Sequence, residues 1–317
     1  MATFKNAVLT RPFQNQKVGL PRGGQRASPS PELVRLKRIK NMQFRVMGRV
    51  DKMNAHSQPC SKLELGSLMG TASAVINHKD FLPAEYDIQH GDVISVDGEL
   101  KSVSGRHVAI IKGIQSIPAH QAKPTALLPK EWVPQCFIPQ LRYVIRCWSG
   151  IQSDALKQLL VDVFYDPANA MGFMNAQASL KYHHAFQGGL LDHTAEMLHQ
   201  LSHHPFGKTD GIGRDLCLTL IILHDIGKTV TTVGQGRTDR GNYQPHEMAA
   251  LELLAEPLSK LARTQPTLAN LVRGYFKPSD WYPRKPVKAY RVVSYLDRQS
   301  AERLSTVKLS ASLTEKM

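Results

Sequence analysis

The chain has 317 residues, 42% of them hydrophobic, and a formal net charge of +14. That length suits about two domains of roughly 100–200 residues, and the apolar content is enough for a sizeable core. No apolar run reaches about 18 residues and no apolar h-region opens the chain, so neither a transmembrane helix nor a secretory signal is expected.

Residues 1–40 carry nine Lys/Arg against one acid, Glu32, and so hold eight of the fourteen net charges. Pro21-Arg22-Gly23-Gly24 and Ser28-Pro29-Ser30-Pro31 are turn and disorder signals. A basic arm of this kind suits nucleic acid or another polyanion. The plain alternative is a solvated tail whose charge does nothing specific.

Residues 41–117 change character. Short alternating or apolar segments at 43–50, 62–65, 73–76, 92–100 and 108–111 predict five strands, with Ser104-Gly105-Arg106 as a hairpin signal. Five short strands in so little chain predict a small all-β barrel. The segment from Gly91 to Leu100 resembles the strand of an OB-fold, a fold that hosts single-stranded nucleic acid. Phe44, Phe81 and Tyr86 are few for base stacking, so a purely structural barrel stays open. Pro118, Pro124, Pro129, Pro134 and Pro139 forbid a long helix over 118–140 and predict an extended linker. From 141 to 305 the apolar spacing is helical, first at Leu141, Val144, Ile145 and Trp148. Helices are expected over 190–201, 215–224, 246–263 and 290–304, with a tail over 306–317.

Two stretches carry the chemistry. One runs from Lys181 to Thr194 and contains His183-His184, Gly188-Gly189 and Asp192-His193. The other is Leu223-His224-Asp225-Ile226-Gly227-Lys228. His224 and Asp225 close an apolar run, and both reach one ion if the helix stops there, with Gly227 the residue to stop it. Imidazole with carboxylate suits Zn, Mn or Fe better than Ca or Mg alone. Such a set leaves open positions at which an ion activates water. The glycines permit close approach of backbone to a ligand. One of His183 and His184 is therefore a candidate for touching phosphate or donating a proton, with simple packing as the alternative. The four cysteines lack CxxC spacing, which argues against a zinc ribbon or a disulfide framework and for a reducing, cytoplasmic setting.

His193, the His224-Asp225 pair and Asp297 in Tyr295-Leu296-Asp297-Arg298 resemble the H…HD…D signature of HD-domain metal-dependent phosphohydrolases. The string His-His-x-x-x-Gly-Gly-Leu-Leu-x-His-Thr is similar to that of bacterial OB–HD 3′-to-5′ exonucleases and of the HD domains of conjugative relaxases. The resemblance covers about residues 140–305. It implies a two-domain protein, an OB-like barrel followed by an all-α HD bundle. It implies His193, His224, Asp225 and Asp297 as metal ligands, with Asp225 the bridging residue in dinuclear members and His246 a candidate for a second ion. It implies Lys228 facing phosphate, against the plain reading of a lysine at a helix end. The family's later His-His-Gly has no counterpart, because Arg273-Gly274-Tyr275-Phe276-Lys277 stands there. One tightly bound divalent ion (Mn, Fe, Zn or Mg) is therefore expected. The function so implied is a phosphodiesterase acting on single-stranded RNA or DNA, most like a 3′-to-5′ exonuclease. Relaxase-like nicking, or an accessory role in conjugative transfer, is one alternative. A nucleic-acid-binding protein with a degenerate site is another.

Overall fold

A computed structural model describes residues 38–103, 106–181, 184–234, 236–277 and 287–300. All but the last three residues of the expected basic arm, the tail over 306–317, and His183 lie outside the described residues.

Five strands, β1 (Arg38–Met53), β2 (Pro59–Ser67), β3 (Gly70–Asn77), β4 (Val93–Val103) and β5 (Arg106–Ser116), close a barrel in the order β1-β2-β3-β5-β4. Each expected strand is present and each is longer than its alternating segment. The length of β1 is what closes the barrel. Its first half pairs with β4 (Phe44↔Ile94) and its second half with β2 (Val50↔Lys62). Register shifts at Ile39/Met42 and Val46/Gly48 bend the strand between those two partners. β3 and β5 meet in parallel through Ala74↔Ala109. Alternation then sends Leu63, Leu65, Ala74, Ile76, Ile94, Val96 and Ile111 inward. Phe44 is among these buried residues, so it does not face a ligand.

Residues 118–140 are not an extended linker. Short turns at Ala119–Gln121, Pro124–Leu127, Lys130–Trp132 and Gln135–Phe137 fold this segment onto the helical core and bury Ala126, Leu127 and Leu128. Its prolines start turns instead of breaking helices. Pro124 is the first residue of its turn, and Pro118, Pro129 and Pro134 each precede one. The missing N–H costs no bond at such positions.

The helices follow as α1 (Ile138–Ser149), α2 (Asp154–Tyr165), α3 (Pro167–Asn175), α4 (Gly189–His203), α5 (Ile212–Leu223), α6 (His246–Leu253), α7 (Ala255–Thr264), α8 (Pro266–Phe276) and α9 (288–300). Asp215 to Leu223 of α5 is buried without interruption, as a helix apolar on every side must be. One helix was expected over 246–263, but α6 and α7 are separate. Pro257 lies where a continuous helix would need its N–H and would clash with the carbonyl four residues back. Among the described residues no helix is long and apolar enough to cross a membrane.

Barrel and helices share a core. Leu68, Val93 and Ile117 of the barrel belong to the helical cluster. The fully buried Arg45 of β1 donates from Nη2 to the Phe164 carbonyl (2.8 Å) and from Nη1 to the Tyr165 carbonyl (3.2 Å). Nη1 also reaches the Gly91 carbonyl at 2.8 Å, and the guanidinium lies 5.3 Å from the Trp132 ring centre. Phe164 and Tyr165 end α2, so an arginine from the barrel satisfies carbonyls that the helix cannot satisfy itself.

Candidate metal centre

The site is assembled from the α5 C-terminus, the face of α4 and the last described turn of α9. After Leu223 the chain turns tightly, with Ile226 N–H donating to the Leu223 carbonyl and Lys228 N–H to the Asp225 carbonyl. Gly227 does not end α5 as a left-handed cap, since its φ is −64°. It is needed for another reason. A Cβ there would lie 1.8 Å from the His246 carbonyl oxygen, so only glycine lets α6 start against this turn. Gly189 behaves likewise, with its Cβ position 2.0 Å from the His184 carbonyl oxygen. The close approach expected at the glycines is backbone to backbone within the protein.

His193, on α4, is 1% exposed. Its Nε2 lies 3.2 Å from Asp297 Oδ1 and 3.2 Å from His224 Nε2, and its Nδ1 lies 3.1 Å from Ser300 Oγ. His224 donates from Nδ1 to the Ile221 carbonyl at 2.8 Å. Asp225 Oδ2 meets Lys228 Nζ at 2.5 Å and His224 Nε2 at 3.3 Å, while Oδ1 meets His246 Nε2 at 3.1 Å. Donor atoms of His193, His224 and Asp297 lie within 4.8 Å of one another, a spacing able to hold one ion. The Asp297 and His246 side chains, 47% and 32% exposed, face the solvent side of this group.

The hydrogen bonds fix which atoms are available. A carbonyl only accepts, so His224 carries a proton on Nδ1. Ser300 gives its one proton to Glu196 Oε2 at 2.7 Å and so accepts from Nδ1 of His193. The Nε2 lone pair of His193 therefore points at His224 and Asp297. Burial lowers the His193 pKa further than its Asp297 bond restores it. Burial also opposes charge on His224, but the charge of Asp225 and its hydrogen bond outweigh that and raise the pKa. Burial would likewise raise the Asp225 carboxyl, but His224 and Lys228 hold it well below the usual range. Two imidazole nitrogens 3.2 Å apart among carboxylates need a cation between them. A proton on His224 is one solution, and a divalent ion held by both Nε2 atoms and Asp297 is the other; Asp225 stands outside that group of three, paired with His224, Lys228 and His246. The donor set fits a first-row divalent metal.

A second group, His184, His193 and Glu196, has similar spacing, but protons complete it. Each ring nitrogen of the buried His184 faces a carboxylate, Nδ1 to Asp192 Oδ2 at 3.1 Å and Nε2 to Glu196 Oε2 at 3.1 Å. Burial opposes charge on this imidazole, yet the hydrogen bonds it donates to Asp192 and Glu196 raise its pKa to about 9. Burial would raise Glu196, but bonds from His184 and Ser300 bring it to about 2. His184 thus has both N–H groups committed to carboxylates, which fits the packing reading better than phosphate contact or proton donation. Its φ of 52° is unusual for a side-chain-bearing residue.

Lys228 is neither a solvated surface lysine nor pointed at open space. It donates to Asp225 and, at 2.6 Å, to the Ala178 carbonyl. Phe276 is fully buried, and Tyr275 packs edge-on against both Phe276 and Tyr290. The segment in which the sequence offers no further histidine pair therefore contributes aromatics to the helical core. Sequence reading missed Ser300 and Glu196. The available signal was helical spacing, since each lies three residues beyond a candidate ligand, Asp297 and His193, on the same face. No family model matches the chain, and neither does any curated protein.

Proposed function

We propose that the chain is a metal-dependent phosphodiesterase acting on single-stranded nucleic acid, with an OB-like barrel joined to an HD-type helical domain. One observation carries this reading. His193 and His224 turn Nε2 toward each other beside Asp225 and Asp297, at a place open to solvent through Asp297. A bound divalent ion (Mn, Fe, Zn or Mg) supplies Lewis acidity and lowers the pKa of water near a phosphodiester. His193, His224, Asp225 and Asp297 would hold it. Lys228, against Asp225 Oδ2, helps keep Asp225 ionised. His246 offers Asp225 Oδ1 one further nitrogen, too little for a second tight ion, so one ion per chain is expected. The barrel order β1-β2-β3-β5-β4 supports the OB-like reading. With Phe44 buried, strand binding falls to charge, and exposed Arg38, Lys40, Lys52 and Lys101 on the barrel suit phosphates.

The test is cleavage of end-labelled single-stranded RNA and DNA with Mn²⁺ or Mg²⁺, with products sized on a gel. A ladder receding from the 3′ end supports an exonuclease. A single cut moves the reading to relaxase-like nicking. Binding without cleavage by metal-loaded protein overturns the enzymatic reading and leaves a binding protein.

A further inference from the structure

We propose that Glu196 and Ser300 set the tautomer of His193 and thereby hold it in its metal-binding form. Their role is positioning, since neither reaches the place where an ion would sit. The inference rests on the reading of His193 as a ligand and adds what makes it one.

A neutral imidazole has two tautomers, and only the hydrogen-bond network decides between them. In the first, His193 Nδ1–H donates to Ser300 Oγ and Nε2 keeps its lone pair. In the second, Nε2–H donates to Asp297 Oδ1, 3.2 Å away. The second form puts a proton on the atom that must bind the ion and occupies a ligand carboxylate as well. Ser300 decides the choice through its single proton. Glu196 Oε2, at 2.7 Å, is an acceptor without a proton of its own, so the hydroxyl proton goes there. The Ser300 oxygen is then left facing His193 Nδ1 as an acceptor, at 3.1 Å.

Glu196 is itself held. His184 donates to it from Nε2 and to Asp192 from Nδ1, and Gln140 on α1 donates to the other Asp192 oxygen at 3.0 Å. The chain of donors therefore runs from α1 through the His184 loop and α4 to α9. Every step has one direction, because each ends on a carboxylate or on an atom that has already given its proton away. Ser300 stands one turn from Asp297 on α9, so docking that helix delivers a ligand and the tautomer lock together. Outer partners of metal-binding histidines act in this way elsewhere, and losing one costs roughly 10–100-fold in metal affinity.

The test uses the full chain and two readouts that do not depend on nucleic-acid cleavage. Zn²⁺ and Mn²⁺ affinities are measured by chelator competition for wild type, Ser300→Ala, Ser300→Thr and Glu196→Gln. The His193 tautomer is read by ¹⁵N–¹H correlation after chelation, with His193→Gln assigning the signals. Ser300→Ala should move His193 toward the Nε2–H form and weaken affinity roughly 10–100-fold. Ser300→Thr, which keeps the hydroxyl, should restore both. Glu196→Gln, a weaker and uncharged acceptor, should fall between them. Folding is checked by circular dichroism, and if Ser300→Ala does not fold, Glu196→Gln against Ser300→Thr carries the comparison. Wild-type affinity and an unchanged tautomer in folded Ser300→Ala or Glu196→Gln overturn the proposal. If the affinity pattern holds but no phosphodiester is cut, the proposed function fails and this inference stands.

Discussion

Asp225 is the residue on which most of the site leans. It is buried and meets Lys228, His224 and His246 at once. Asp225→Asn keeps the shape and removes the charge. On the proposed reading the variant should fail to bind metal and to cut a phosphodiester, and it should be less stable by about 3 kcal/mol, because Lys228 is left without its counter-charge. Elemental analysis and denaturant unfolding check this, and full metal content in the folded variant would end the ligand assignment. His184 gives a pH signature. Its folded pKa of about 9 lies above the ordinary 6.5, so its contribution is complete below about 6.5 and is lost as pH rises through 9. Glu196, at about 2 against 4.5, contributes above 4.5 and loses that as pH falls toward 2. The stability gap between wild type and His184→Gln should therefore be widest between those limits and shrink above pH 9. A gap that stays constant from pH 6 to 10 in thermal melts would show that His184 is not the charged clamp. At this scale His193, His224 and Asp225 were legible as candidates, because His224-Asp225 and the glycine string are local patterns. Ser300 and Glu196 were not, since an isolated serine and glutamate mean nothing until α9 rests on α4, 104 residues away in sequence.

The elements were legible in kind and not in extent. Alternation marks a strand only while the alternation lasts. The first residues of β1 break it at a bulge, where Asn41 takes a positive φ and its N–H bonds Asp97. The sequence therefore showed about half of the strand that closes the barrel. Prolines misled for a similar reason. They forbid helix interiors but favour helix starts, and only packing against Trp148 and its neighbours in the helical core distinguishes a folded run of starts from a linker. The Gly227 turn is the element-level constraint on the site, because it sets the spacing between Asp225 and His246. Gly227→Ala must push α6 away from a contact at 1.8 Å. A loss of roughly 1–3 kcal/mol is expected, together with weaker metal binding, by chemical denaturation and chelator competition. An alanine variant as stable as wild type would mean that the turn has room the geometry denies it.

For the whole molecule, Arg45 ties barrel to helices, with its pKa lowered to about 10 by burial against the pull of Tyr165, Asp166 and Asp92. Arg45→Met keeps bulk and removes the donors to the Gly91, Phe164 and Tyr165 carbonyls. Each unmade bond costs about 1–3 kcal/mol. Calorimetry should show one transition in wild type and two in the variant, as barrel and helices melt apart, and a single transition at an unchanged Tm would refute the tie. This joint was invisible in the sequence, where Arg45 sits as one polar residue in an alternating strand. The distance along the chain between His193 and Asp297 has a consequence for synthesis. A ribosome adding roughly 5–20 residues per second makes the second of these roughly 5–20 s after the first. Once Asp225 is made, the nascent chain holds two imidazoles and that carboxylate for the rest of the interval, but neither Asp297 nor Ser300. If the site takes the proposed ion, the chain then has the means to meet it weakly and none to keep it, so loading would be a final step of biosynthesis, exposed to whichever ion the cell supplies at that moment.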